Sequence, residues 1–362
     1  MFDFQQLIAD LREDKLLPNS LSENLKSADL LKLSGDTIKE FQDKKFYPTE
    51  LEAPLGCQLE LTHSCNLRCI HCYNCSGEKR QELSFKKWMD VARQLVKMNL
   101  FECVISGGEP LLLGDKLFKI MSVLHDSGVK FIFITNGMLV NERTVDKLSR
   151  YDYYWIQVSI DGSRPSIHDK IRSVKGSWKN AIKAAVMFSQ IKLPLTIAHV
   201  LVKDNVDFLE EMIETSYLLG ALRMVVGKFV YSGRAITNRK RLDLSKKDVL
   251  KAYKLLEVKR QEYKEKMDIA TPMDPVLYLR YRVIEPCNVI LIRPNGDVKL
   301  DCVLPFKVGN VMEESIQSIW DNVGKNAWIN PKILKYIESI KEQNDILKVF
   351  PRPYNDNDVL VR

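Results

Sequence analysis

The sequence predicts an α/β fold built on a parallel sheet, and three observations carry that prediction. Apolar, β-branched stretches of strand length recur along the chain. Patterns of helical period lie between them. The strand-like stretches are apolar almost throughout, as strands covered on both faces are. Strands that alternate with helices pair in parallel through right-handed crossovers.

Six strands are predicted, at Leu55–Leu61, Cys103–Ser106, Phe131–Thr135, Ile156–Ile160, Leu195–Leu201 and Met224–Phe229. The clearest helix is Phe85–Leu100, where Trp88, Val91, Ala92, Leu95 and Val96 line one face and Ser84 is placed to cap the start. Val145–Arg150, Trp178–Ser189 and Phe208–Leu219 repeat the pattern. Before this rhythm, short helices are expected at Phe4–Arg12 and Thr37–Lys44, with Pro48 and Pro54 at the passage into the sheet. After it, residues 244–266 form a charged helix with Ser245 as cap. Ile290–Arg293 and Val298–Leu300 then flank Pro294-Asn295-Gly296-Asp297, a hairpin turn signal. A helix at Pro331–Lys341 and a tail end the chain. A sheet of this kind places its chemistry at the C-terminal ends of its strands.

Composition narrows the class. With 45% hydrophobic and 28% charged residues, the chain has enough apolar content for a core and reads as a soluble globular protein. No apolar run approaches the length of a membrane span. The N-terminus Met1-Phe2-Asp3-Phe4 lacks the basic and apolar regions of a secretory signal, so a cytoplasmic protein is expected. The net charge of +7 is spread along the chain and reads as a solvated surface. Neither a membrane nor a nucleic acid is expected as a partner.

Eight cysteines stand at 57, 65, 69, 72, 75, 103, 287 and 302, and four of them crowd between 65 and 75. In a reducing compartment such crowding points to metal rather than disulfides. Cys65, Cys69 and Cys72, spaced C-x3-C-x2-C after the first strand, can hold three irons of a cubane and leave the fourth open to a cofactor. The competing reading is a zinc site completed by Cys75, His63 or His71. Cys103 and Cys57 lie inside strands and read as core.

The stretch from Leu61 to Tyr73 resembles the signature of the radical S-adenosylmethionine (SAM) superfamily. Ser106-Gly107-Gly108-Glu109-Pro110 resembles its GGEP motif, Thr135-Asn136-Gly137 its TNG motif, and Val158–Gly162 and Ile167–Arg172 the segments that follow the fourth strand. The resemblance covers about 55–235 and, more weakly, 285–325. It implies a partial (β/α)6 TIM-like barrel and two cofactors, a [4Fe–4S] cluster on Cys65, Cys69 and Cys72, and SAM. It implies that Gly107, Gly108, Glu109 and Pro110 meet the methionyl amine, that Arg172 grips the SAM carboxylate, that Ser159 meets the ribose, and that Tyr73 lies near the adenine. Asn136 either contacts the cofactor or caps the next helix. Gly107 and Gly108 would let the backbone approach the ligand closely. The implied reaction is reductive cleavage of SAM to a 5′-deoxyadenosyl radical, which takes hydrogen from a substrate. An external reductant such as flavodoxin or ferredoxin supplies the electron.

From Cys287 to Trp320 the chain resembles a truncated SPASM or twitch domain, a small C-terminal α+β unit that in the family holds auxiliary clusters. Such domains supply about seven cysteines, whereas here only Cys287 and Cys302 remain. The two are remnants, ligands completed by another group, or, for Cys302, a thiol that donates hydrogen to a substrate radical. Val303 stands where sulfatase-maturing relatives place a catalytic aspartate, so that activity is not expected.

The expected layout is an N-terminal helical extension (1–52), a radical SAM core (53–243), a helical linker (244–284), the truncated unit (285–325) and a helix and tail (326–362). The expected function is an enzyme that modifies a ribosomally made peptide by crosslinking, epimerisation or side-chain oxidation. A dehydrogenase of a small molecule and a non-catalytic zinc or iron–sulfur module are the alternatives. Because two thiolates cannot fill an auxiliary site alone, iron analysis of anaerobically reconstituted protein separates the readings of Cys287 and Cys302: about four irons per chain would mean one cluster, and about eight a second.

Overall fold

A computed structural model describes residues 51–284, 288–349 and 358–361. The predicted helices at Phe4–Arg12 and Thr37–Lys44, most of the 1–52 extension, and Cys287 lie outside the described residues.

The six predicted strands are present as β1 (Gly56–Glu60), β2 (Glu102–Ser106), β3 (Lys130–Thr135), β4 (Tyr153–Ser159), β5 (Leu195–Leu201) and β6 (Arg223–Lys228). They pair in parallel in sequence order. The helices between them are α1 (Phe85–Lys97), α2 (Asp115–His125), α3 (Glu142–Leu148), α4 (Pro165–Arg172), α5 (Ser177–Gln190) and α6 (Leu209–Leu218). This is the expected partial (β/α)6 barrel. Leu59, Ile105, Phe133, Val158, Ile197 and Met224 point to one face and are fully buried among Leu95, Met121, Ala184 and Met212 of the helices. Each such side chain contributes about 1.5–3 kcal/mol by leaving water.

The opposite face corrects the expectation of strands buried on both sides. Val104, Ile132, Ile134, Gln157, Ala198, Val200 and Val225 are only half-buried. Side chains alternate between the faces of a strand, so these residues line an open face of the barrel sheet. Helices also depart from expectation, and α3 runs over Glu142–Leu148 rather than Val145–Arg150. Helix α1 stops at Lys97 rather than Leu100, because Asn99 adopts φ 54°, the left-handed conformation that ends helices. Helix α2 went unpredicted. Ser84 and Ser245 cap as expected: Ser84 Oγ accepts from the Lys87 N–H at 3.2 Å, and Ser245 forms a reciprocal capping box with Asp248.

Beyond β6 come two short helices, α7 (Arg234–Thr237) and α8 (Arg239–Leu242), then α9 (Lys246–Tyr263), β7 (Asp268–Ala270) and α10 (Pro275–Ile284). The predicted hairpin is β8 (Val289–Ile292) and β9 (Asp297–Lys299), with Gly296 at φ 91° in its turn. Next come β10 (Phe306–Lys307), β11 (Gly309–Asn310), α11 (Ile316–Asn322), α12 (Pro331–Ser339), α13 (Gln343–Val349) and β12 (Val359–Leu360), which pairs with β10. The hairpin does not start a separate sheet. Strand β8 runs parallel to β1, so one ten-stranded sheet has the order β11-β9-β8-β1-β2-β3-β4-β5-β6-β7. Further ties are the Leu83 N–H to Pro294 O at 2.6 Å and the Trp320 Nε1–H to Leu51 O at 2.8 Å. Among the described residues no helix is long and apolar enough to cross a membrane.

A shared sheet implies shared stability. Ile292→Ala, at a fully buried position of β8, is expected to cost about 2–5 kcal/mol and to lower one common unfolding transition. Urea unfolding followed by both circular dichroism and tryptophan emission checks this; two separated transitions would contradict it.

Candidate metal and cofactor site

Between β1 and α1, residues 61–84 form neither helix nor strand. Backbone groups in such a segment need partners, and arginines supply many of them. Arg68 donates to the carbonyls of Cys65 (2.7 Å), Leu67 (2.9 Å) and Gly77 (2.7 Å). Arg234 donates to those of Cys69 (2.9 Å) and Ser76 (3.0 Å) through its side chain and to that of Cys72 (3.0 Å) through its N–H. The loop also pairs with the end of α4: the Arg68 and Ile70 N–H groups donate to the carbonyls of Arg172 and Ile171 at 3.2 and 3.0 Å.

Cys65, Cys69 and Cys72 all sit on this loop, with Cys69 buried and the other two half-buried. Two of the sulfurs accept N–H groups from other elements. The Asn136 side-chain amide lies 3.8 Å from Cys65 Sγ, and Arg172 Nη1 lies 3.6 Å from Cys69 Sγ. Burial pushes the Cys65 thiol up to about 12. Burial also raises Cys69, with Arg172 pulling the other way. Thiolates here therefore need added positive charge. Among the described residues no three Cys, His, Asp or Glu side chains converge on a point that would suit a single metal ion. A mononuclear zinc site needs such convergence. A cubane does not, since each thiolate binds its own iron. His71 turns its Nε2 to Asp161 at 2.7 Å.

Asp161, which the sequence leaves without a role, organises the side of the site beside Cys69. It is fully buried just past β4. Its carboxylate forms an ion pair with Arg172 Nε at 2.7 Å, meets His71, and accepts the Val200 N–H at 2.9 Å. Burial alone would raise this carboxyl, but Arg172 and His71 outweigh it and hold it well below the usual range. His168 Nδ1 accepts the Asp161 N–H at 3.1 Å, and burial lowers His168 to about 4, so its ring is neutral at pH 7. An acidic residue at a strand end is common in turns, which is why the sequence does not single out Asp161.

The other motif residues form a second unit. Glu109 is fully buried and accepts the Asn136 N–H (2.8 Å), the Thr135 hydroxyl (2.9 Å) and the Leu111 N–H (3.2 Å). It thus ties the Gly107–Pro110 turn to the Thr135–Gly137 turn. Asn136 is no simple helix cap: its Oδ1 accepts the Met138 N–H (2.9 Å), and its amide spans Asn66 (2.7 Å) and Cys65. The glycines have a reason that the sequence does not reveal. A Cβ on Gly108 would lie 2.1 Å from Ser64 O, and one on Gly107, at φ 144°, 2.8 Å from Thr62 O. The close approach they allow is to the backbone of the cysteine loop. Ser159 is half-buried on the open face of the sheet.

Tyr73 donates its hydroxyl to buried Glu60 at the end of β1. Glu60 also accepts from Asn74 at 3.1 Å and pairs with Arg293 at 3.5 Å, while Arg293 donates to Asn74 at 2.7 Å. Burial and then Glu60 raise the Tyr73 phenol well above its ordinary value, with Cys302 a smaller contributor. The acidic residue within the apolar run Leu59-Glu60-Leu61 was the available signal for this cluster.

The Glu109 tie is testable. Glu109→Gln sets an amide N–H2 among three donors and is expected to cost about 1–3 kcal/mol. Burial outweighs those donors and raises the Glu109 carboxyl from 4.5 to about 7. The unfolded chain therefore ionises first. The Glu109 contribution is fully present below 4.5 and is lost as the pH climbs through about 7. The wild-type stability minus that of E109Q should fall across this window in denaturant titrations; a difference independent of pH would contradict it.

Residues 59–215 match the family model of the radical SAM superfamily. The chain is 34% identical over 175 residues to mycofactocin maturase MftC of Mycolicibacterium smegmatis, covering 47% of this chain and 44% of that protein. It is 28% identical over 226 residues to the PqqA peptide cyclase of Granulibacter bethesdensis, covering 61% of this chain and 60% of that one. The chain thus spans less than two thirds of the length of either relative. The crystal structure of Streptococcus suis SuiB bound to precursor peptide SuiA superposes with a TM-score of 0.66 over 97% of this chain and 88% of that one. At 18% identity that is a likeness of fold. The matched segment contains the cysteine loop, both glycine turns, Asp161 and Arg172. The likeness to the radical SAM superfamily is thus a likeness of residues 59–215.

Proposed function

We propose that the chain is a radical SAM enzyme that modifies a ribosomally made peptide by crosslinking, epimerising or oxidising it. The observation that carries the reading is the convergence of side-chain N–H donors, from the turn after β3 and from α4, on two of three loop thiols. Donors aimed at sulfur suit thiolates bound to iron. In this reading Cys65, Cys69 and Cys72 hold the [4Fe–4S] cluster. The cluster, when bound, supplies the electron that splits SAM into methionine and a 5′-deoxyadenosyl radical.

The remaining roles belong to the protein. The turn Gly107–Pro110, fixed by Glu109 against Thr135 and Asn136, presents backbone groups to the methionyl amine. Arg172 offers the SAM carboxylate part of its five-donor guanidinium. Ser159 meets the ribose from the open face of the sheet, and Tyr73 lies on the adenine side. That face is where a substrate would meet the reacting carbon. Cys302 would donate a hydrogen atom or ligate an auxiliary group, for which Cys287 is the other candidate.

Relatives named as a maturase and as a peptide cyclase, and a structural neighbour solved with its precursor peptide, support a peptide substrate. The partners would be that peptide and an external one-electron donor such as flavodoxin or ferredoxin, with the cytoplasm as compartment.

Cys69→Ala is expected to abolish 5′-deoxyadenosine formation in anaerobically reconstituted protein, read by chromatography; retained formation refutes the cluster assignment. Cys287→Ala combined with Cys302→Ala should leave SAM cleavage largely intact while changing the product made from the peptide substrate. A folded double variant unable to cleave SAM would contradict the roles given to these thiols.

A further inference from the structure

On the reading that Cys65, Cys69 and Cys72 hold the cluster, we infer that Arg172, fixed by Asp161, also sets the cluster's reduction potential, through its N–H on the Cys69 sulfur. The guanidinium has little freedom to point elsewhere. Its Nε is paired with Asp161 at 2.7 Å, and Asp161 is fully buried and tied to His71 and the Val200 N–H. The Arg172 and Ile171 carbonyls hold the Arg68 and Ile70 N–H groups, so the helix end is bonded directly to the cysteine loop. Nη1 is left on Cys69 Sγ at 3.6 Å.

At the Cys69 sulfur Arg172 acts in one direction, and the ionised Asp161 opposes it less strongly. Reduction adds one electron, brought by the external donor, to a cluster whose thiolates share the added charge. A positive charge and an N–H on one sulfur stabilise the reduced state more than the oxidised one, and so raise the potential. The amide of Asn136 on Cys65 acts in the same sense without a formal charge, and at 3.8 Å more weakly. Arg172 is thus a positioning residue for electron entry, separate from any contact with SAM. Lys170, on the same helix, provides the contrast: it is exposed and pairs with Asp204 at 3.1 Å.

The test is a potentiometric titration of the reconstituted full chain without SAM, followed by the electron paramagnetic resonance signal of the reduced cluster. Arg172→Met should shift the midpoint negative by about 59 mV, a tenfold change in a one-electron equilibrium. Arg172→Lys, which keeps the charge, should shift it less, and Lys170→Met not at all. R172M protein with full iron content and a wild-type midpoint overturns the inference and leaves the cluster assignment standing. Wild-type protein that assembles no cubane removes that assignment itself. Should R172M fail to hold iron, R172K and Asn136→Leu decide: negative shifts in both support the inference, and wild-type midpoints in both overturn it.

Discussion

Everything at this site depends on holding in place a loop that has no regular structure of its own. Residues 61–84 carry the thiols, and their carbonyls cannot pair within a helix or sheet. Guanidinium groups solve this, because their fixed forks reach several carbonyls at once. Arg68 acts from within the loop, Arg80 closes on the carbonyls of Asn74 and Cys75 at 2.7 and 2.8 Å, and Arg234 arrives from beyond β6. Gly233 lets that last segment come close, since a Cβ there would lie 2.5 Å from the carbonyls of Cys72 and Tyr73. The segments that follow the first and last strands of the barrel thereby meet.

Two buried carboxylates finish the arrangement from different sides. Glu109 fastens the turn after β2 to the turn after β3 by accepting three donors. Asp161 fastens α4 to the loop by charge. They differ in electrostatic setting: Glu109 faces neutral donors, so burial prevails, whereas Asp161 faces a guanidinium and remains ionised. One stiffens the backbone that would meet a ligand, and the other orients a cation beside a sulfur.

Much of this was legible in the sequence, because its signals are local. Strands at Phe131–Thr135 and Leu195–Leu201 and caps at Ser84 and Ser245 follow from pattern and side-chain chemistry within a few residues. The cysteine spacing and the two glycine turns were equally plain. What escaped depends on contacts distant in the chain. The reason for Gly108 lies in the carbonyl of Ser64, the role of Asp161 in Arg172 and His71, and that of Glu60 in Arg293. The pairing of β8 with β1 escaped for the same reason: a hairpin signal says nothing about which strand the hairpin will join.

That pairing gives the C-terminal hairpin a protective duty. Strand β1 precedes the cysteine loop directly, and its far edge is covered by β8 from Gly56 to Leu59. Without Val289–Ile292, that edge would present unpaired amides and carbonyls flanked by Cys57 and Leu59, an invitation to intermolecular strand addition. A polypeptide released before this hairpin is synthesised would therefore be prone to self-association, with its thiols held beside the exposed edge.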